Sequence, residues 1–299
     1  MTSSPSDWIR LHSDSFTAEI DPQGAQLSVL RDSAGLDLLW NGDATFWNGR
    51  APILFPIVGA LNGGHYAWRR DRYALPRHGF ARGCRFEVVR NTERAALFRL
   101  TSDAATLQVY PFAFELDVAF RLDANALVVE AGVRNTGSEP MPASLGFHPA
   151  FRWPLPNGHA REEHYIEFEF AETARVRRLD KSGLLTDDHH PTPVQGRRLA
   201  LQDALFKDDV LILDHPKSRQ LTYGTATGPR LQVSFPNASH LGLWSKPGAE
   251  FVCIEPWRGV ADPVGFVGSL NDKPGVFRVA QGARQSLVMR IEWRGGTGA

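Results

Sequence analysis

Apolar residues recur at every second position along most of this chain. From Phe114 to Leu122 the apolar set is Phe114, Leu116, Val118, Phe120 and Leu122, with Glu115, Asp117 and Arg121 on the opposite side. A period of two is the mark of a strand with one buried face. Leu127, Val129, Ala131 and Val133 repeat it, as do Ile166, Phe168 and Phe170, then Leu231, Val233 and Phe235, and finally Leu287, Met289, Ile291 and Trp293. Clusters such as Asp123-Ala124-Asn125 and Asn135-Thr136-Gly137 separate these runs, and such residues reverse the chain. Hairpins joining antiparallel strands are therefore predicted. No amphipathic run of helix length carries convincing caps, and 27 Gly and 20 Pro argue against a helical bundle or a βαβ succession. The predicted fold is all-β, a large antiparallel β-sandwich. With no linker, charge block or fixed-period repeat to divide it, the chain reads as one domain over residues 1–299, with loose termini at about 1–14 and 295–299.

Composition narrows the function classes. The 299 residues are 42% apolar and 22% charged, enough for a sizeable core. Lys+Arg and Asp+Glu are equal at 33 each, so no net field attracts nucleic acid or an anionic membrane, and a small neutral ligand fits best. The first residues lack a basic, apolar leader, and no window is apolar enough to span a bilayer, so a cytoplasmic protein is expected. Cys84 and Cys253 are too few for a disulfide framework, and neither lies in a CxxC pattern or beside a histidine, so no metal site is expected. His189-His190, between Asp187-Asp188 and Pro191, reads as part of a polar loop, and residues 179–193 as a solvated insertion rather than a lid.

Two distant segments carry candidate chemistry. Gly146-Phe147-His148-Pro149-Ala150-Phe151 and Cys253-Ile254-Glu255-Pro256-Trp257 each hold one proton-transfer group in apolar, proline-stiffened surroundings. A histidine and a glutamate form an acid/base pair for work near neutral pH, and neighbouring aromatics suit the faces of a sugar ring. The run Ala51 to Gly59, with two prolines, reads as an edge or irregular buried segment entered through Arg50. In Leu75 to Arg82, Gly79 after His78 lets the backbone pass close to a ligand or strand. Asp208 and Asp209 stand at the mouth of a buried strand. Each also has a structural reading: His78 as a core histidine, Arg50 as a surface arginine, the aspartates as turn residues, Trp257 as packing.

In this order, Arg50, His78-Gly79-Phe80-Ala81-Arg82, the GFHPAF segment, Lys207-Asp208-Asp209 and Ile254-Glu255-Pro256-Trp257 resemble the aldose 1-epimerase (galactose mutarotase-like) family. The likeness is to its bacterial branch with HGFAR, GxHPAF and EPW motifs, over about residues 15–293. It implies a large antiparallel β-sandwich with an open sugar cleft. It also implies an isomerase that needs no cofactor or metal, interconverts the α and β anomers of a hexose, and works as a monomer or homodimer. Glu255 would be the catalytic base and His148 the acid, Arg50 and His78 would bind the ring oxygen or hydroxyls, and Asp208, or Asp209 one residue on, would accept from hydroxyls. An unperturbed histidine titrates near ~6.5, so a cationic His148 paired with Glu255 is expected. GFHPAF departs from the Asn-His pattern of the galactose mutarotase branch, so sugar preference does not carry over. Arg77, Arg82, Arg85, Arg152 and Arg258 lie near the motifs, and arginines bind phosphate in a bidentate manner; a hexose-6-phosphate 1-epimerase is the rival enzyme. A non-catalytic carbohydrate-binding or sensing module is the rival from another class. Glycoside hydrolysis, which usually employs two flanking carboxylates, fits a Glu/His pair less well.

Overall fold

Two large sheets, each paired antiparallel throughout, make the fold. The computed structural model describes residues 7–156 and 158–294. One sheet has nine strands, in the order Arg198–Ala200, Tyr165–Phe168, Gln220–Gly224, Arg230–Ser234, Arg284–Arg294, Ala126–Asn135, Phe114–Leu122, Ala95–Thr101 and Glu87–Asn91. The other has eight: Leu185–His190, Val176–Leu179, Leu211–Asp214, His240–Trp244, Phe251–Arg258, Leu145–Phe147 and Ile53–Leu54 in order, with Ala150–Arg152 also on the Phe251–Arg258 strand.

Alternation decides which faces meet. In Phe114–Leu122 every second residue is buried, and the hairpin through 123–125 sets Leu122 against Leu127, Phe120 against Val129 and Val118 against Ala131. These side chains share one core cluster with Leu211, Leu213, Leu241, Leu243, Val252 and Ile254 of the eight-stranded sheet. Each such burial is worth about 1.5–3 kcal/mol. The alternate residues of the eight-stranded sheet face outward and form two smaller clusters, one around Leu54, Ile212 and Trp257, the other around Trp40, Phe251 and Cys253. The candidate chemistry lies between these two, on the face turned away from the main core.

Several expectations are corrected. Ile9–His12, expected to be loose, is a strand paired with Phe16–Asp21; residues 1–6 and 295–299 of the expected loose termini lie outside the described residues. Most of the 179–193 insertion is the outer hairpin of the eight-stranded sheet, with Leu185 buried and His189 and His190 exposed on its last strand rather than in a loop. Phe170 is 53% exposed because its strand ends at Phe168. One short helix, Ala104–Val109, does form, capped by Asp103, whose side chain accepts from the Thr106 amide. Among the described residues no helix is long and apolar enough to cross a membrane.

Candidate active site

Strand register sets the central pair. Along the Phe251–Arg258 strand, Gly146 pairs with Trp257 and Ala150 with Cys253. Two residues in from each, His148 falls opposite Glu255 on the outward face, while Phe147 and Phe151 point into the core. Proline has no amide to donate, and Pro256 sits where the neighbouring ladder is interrupted between Gly146 and Ala150. His148 Nε2 lies 3.1 Å from Glu255 Oε2. The two atoms are not aligned as a hydrogen bond, and Oε2 makes no hydrogen bond among the described residues. The His148 ring stacks on Trp47 at 4.9 Å between centroids and meets Trp244 edge-on at 5.8 Å.

Across the strand, Gly242 pairs with Glu255 and Gly146 with Trp257. Glycine inside a strand marks close approach of another group, and here the group is the Trp257 indole. A Cβ at Gly242 would lie 2.5 Å from the ring and one at Gly146 2.9 Å from it. The indole thus lies flat on the sheet, walling the cavity. Gly242→Ala is expected to lift the ring, lowering stability by about 1–3 kcal/mol as overpacked cores do. A denaturant titration alongside tryptophan fluorescence checks this; unchanged stability and emission would mean that the bed is looser than described.

His78 completes the set from another segment. Its backbone φ is +69°, uncommon for a residue other than glycine. Gly79 follows at φ +72° and runs so close to Phe55 that a Cβ would sit 2.2 Å from the Phe55 carbonyl oxygen. The Gly59 amide donates to His78 Nδ1 at 3.1 Å, and the His78 amide donates to the Gly59 carbonyl at 2.9 Å. The proton of the neutral ring is therefore on Nε2, which is left as a donor. Behind this segment, Lys273 Nζ donates to Asp262 Oδ1 at 2.8 Å, Asp262 Oδ2 accepts from the Asn62 amide, and the Asp262 amide donates to Ala60.

The lining of the cavity, about 340 Å³, comprises His78, His148, Glu255, Arg77, Arg82 and Asp209 with Trp47, Trp244, Trp257 and aliphatic residues. This is the size and mixture of a small-molecule site. Burial governs its titration. Desolvation, aided by Arg77 and Arg82, pushes His148 down to about 3. Desolvation also holds His78 well below the ordinary histidine range, with the nearby His148, Arg77 and Arg82 adding to it. Glu255 is raised well above the usual carboxylate range by desolvation and by Asp209, with Arg77 opposing. The cationic His148 expected from its ordinary titration is thus corrected: desolvation favours a neutral imidazole beside a protonated carboxyl.

The structure brings His78, His148 and Glu255 together and places the other two expected residues elsewhere. Arg50 is not in the lining. Its Nη1 donates to the Ser28 carbonyl at 2.6 Å, its guanidinium lies 5.2 Å from the Trp8 ring centroid, and its stem packs on Gly42. Those partners draw it away from the cavity. Asp208 is exposed, and the lining aspartate is Asp209. Alternation back from Ile212 through Val210 points to Asp208, but a φ of +63° at Asp209 breaks that alternation and turns the second carboxylate inward. Asp209 Oδ2 comes within 3.9 Å of Arg77 Nη2. Of the five arginines near the motifs only Arg77 and Arg82 line the cavity. Arg152 pairs with Glu250, and Arg258 lies over Phe277. Trp47 and Trp244 were missed; Gly49, where a Cβ would meet the Trp47 ring, was the available signal for the first, and nothing local marked the second.

Comparison with known proteins identifies a family and a fold. A family model described as Aldose 1-epimerase matches residues 7–267. Protein LacX (chromosomal) of Lactococcus lactis subsp. lactis is 34% identical over 281 residues, covering 91% of this chain and 94% of that protein. Among solved structures, a galactose mutarotase related enzyme from Lactobacillus acidophilus superposes with a TM-score of 0.89 at 30% identity, covering 97% of this chain and 98% of the other. A galactose mutarotase-like protein from Lactobacillus casei gives 0.88 at 29% identity, covering 96% and 100%.

Proposed function

This chain belongs to the aldose 1-epimerase family, and on that premise we propose that it interconverts the α and β anomers of a hexose by acid/base opening and reclosure of the ring. The observation that carries the reading is the opposition of His148 and Glu255 at 3.1 Å in a cavity walled by tryptophans. Ring opening removes the proton of the C1 hydroxyl and delivers one to the ring oxygen as the C1–O5 bond breaks. Glu255 is the base and His148 the acid. The pair needs a single transferable proton. It sits on Glu255 in the arrangement that burial favours, and the short contact lets it pass to His148 when a sugar enters, with Arg77 drawing Glu255 toward the carboxylate. Opening then moves the C1 hydroxyl proton to Glu255 while His148 gives its proton to O5. Rotation about C1–C2 and reclosure reverse both transfers. His78 Nε2–H and Arg77 donate to sugar oxygens, and Asp209 accepts from hydroxyls.

Anomer exchange followed by NMR on freshly dissolved α-glucose, α-galactose and glucose 6-phosphate tests the reading. Acceleration above the buffer rate supports it. No acceleration for any of the three by folded protein would favour the carbohydrate-binding module.

A specific observation favours a phosphorylated substrate as a second reading. Arg82 lines the cavity beside Arg77, and its guanidinium donates to the Arg77 carbonyl at 2.8 Å. With Glu255 protonated, Asp209 alone offsets the two arginines, so the empty cavity leans positive. A hydrogen bond to a charged group is worth about 1.5–3 kcal/mol, so Arg82→Gln is expected to lower kcat/KM for glucose 6-phosphate roughly 10- to 100-fold, sparing glucose. Equal losses on both sugars would remove the phosphate reading.

A further inference from the structure

We propose that the strand pair beneath this cavity is also a binding site for a thiophilic divalent cation such as Zn²⁺ or Cd²⁺, held by His148, Cys253 and Glu255. One ligand atom from each of these residues lies within 4.8 Å of the others, and all three residues are buried. Strand parity makes the cluster. Cys253 and Glu255 are two apart on one strand and share its outward face, His148 stands opposite Glu255, and the small Ala150 stands opposite Cys253. The absence of a CxxC pattern argued against a cysteine-based site, yet here the fold supplies the histidine from a distant segment.

The donor set suits the ion. Imidazole nitrogen, thiolate sulfur and carboxylate oxygen are the usual ligands of Zn²⁺, and three protein ligands with one open position are a common arrangement. Bonds of about 2.0–2.3 Å in a tetrahedron set ligand atoms roughly 3.3–3.8 Å apart, so the cluster needs to close by about 1 Å, within reach of side-chain rotation. A second observation points the same way: Glu255 Oε2, a buried polar atom facing His148 Nε2, has no hydrogen-bond partner among the described residues, a condition that favours a ligand. On binding, the Cys253 thiol and the Glu255 carboxyl release their protons to solvent, and thiolate and carboxylate together balance the ion's two positive charges. Cys253 has no part in ring opening and does not line the cavity wall, so this role is separate from the proposed reaction. An ion held here occupies both proton-transfer groups and therefore inhibits.

Titrating the metal-free protein with Cd²⁺ is expected to raise the ultraviolet thiolate-to-cadmium charge-transfer band to a stoichiometric end point, and to suppress anomer exchange until EDTA is added. In Cys253→Ala the band disappears, and inhibition, referred to that variant's own metal-free rate, weakens by more than the roughly 10- to 100-fold that loss of an outer-shell partner causes. Cys253→Ser, which preserves side-chain volume, serves if the alanine variant does not fold. Cys84→Ala retains both effects. No band at stoichiometric cadmium, a band that follows Cys84, or inhibition unchanged in the Cys253 variants would overturn the proposal. The absorbance requires no epimerase activity, so the site stands or falls separately from the proposed function.

Discussion

Glu255→Gln is expected to lower the rate of anomer exchange by about 100- to 10,000-fold, the usual contribution of a positioned acid or base, with His148→Asn causing a loss of similar size. The two losses are not expected to add, because the groups share one proton and removal of either stops the transfer. Gln keeps the volume and shape of Glu, and Asn is smaller than His but stays polar at the edge of the cavity, so the fold is expected to survive. Polarimetry of each single variant and of the double variant checks this; a double variant as slow as the product of the two single losses would mean that the groups act independently. The pH profile carries the same information. With His148 held at about 3 and Glu255 raised, the pair keeps its single proton across the neutral range. The acid fall-off of kcat/KM therefore lies well below the ~6.5 of a free imidazole, and activity falls as rising pH strips Glu255. These limbs belong to the pair rather than to either residue. An acid limb near neutrality would mean that the imidazole is hydrated and cationic in the free protein.

Lys273→Met is expected to destabilise the protein by about 3–5 kcal/mol, because it strands the carboxylate of Asp262 without its counter-charge. Both side chains are almost wholly buried, at 1% and 3% exposure. Urea denaturation measures the loss, and less than about 1 kcal/mol would show that water reaches the pair. Adding Asp262→Asn removes the stranded charge and is expected to restore part of the stability. Lys273 is far from a passive strut. Asp262 holds Ala60 and Asn62, Gly59 holds both ends of the His78 residue, and a Cβ at Gly59 would sit 2.5 Å from Ala261. Loosening the pair is therefore expected to raise KM as well.

How much of this could be read beforehand varied with how local the cause is. Phe114–Leu122 was legible to the residue, because its alternation and the turn at 123–125 both act within a few positions. The shared face of His148 and Glu255 was written in the same code: Gly146, His148 and Ala150 alternate, as do Cys253, Glu255 and Trp257, although nothing local says that the two strands are neighbours. Arg50 was misplaced because a long side chain goes where partners are, and Ser28 and Trp8 come from strand pairings and chain ends that no local pattern reveals. Asp209 displaced Asp208 through one left-handed backbone angle. The hairpin over 179–193 looked solvated because an outer hairpin exposes most of one face, and its polar strand lacks the alternation that marks a half-buried one.

The pairing of Gly146 with Trp257 and of Ala150 with Cys253 also limits how this protein can change in length. Inserting or deleting one residue between Gly146 and Ala150 would exchange the two sides of the segment downstream, turning His148 or its successors toward the core and bringing a phenylalanine to the cavity face. Two-residue changes preserve parity but move the imidazole along the strand by nearly 7 Å. Substitutions on the tryptophan walls can therefore retune this cleft, whereas the opposition of His148 and Glu255 tolerates no change of chain length at all.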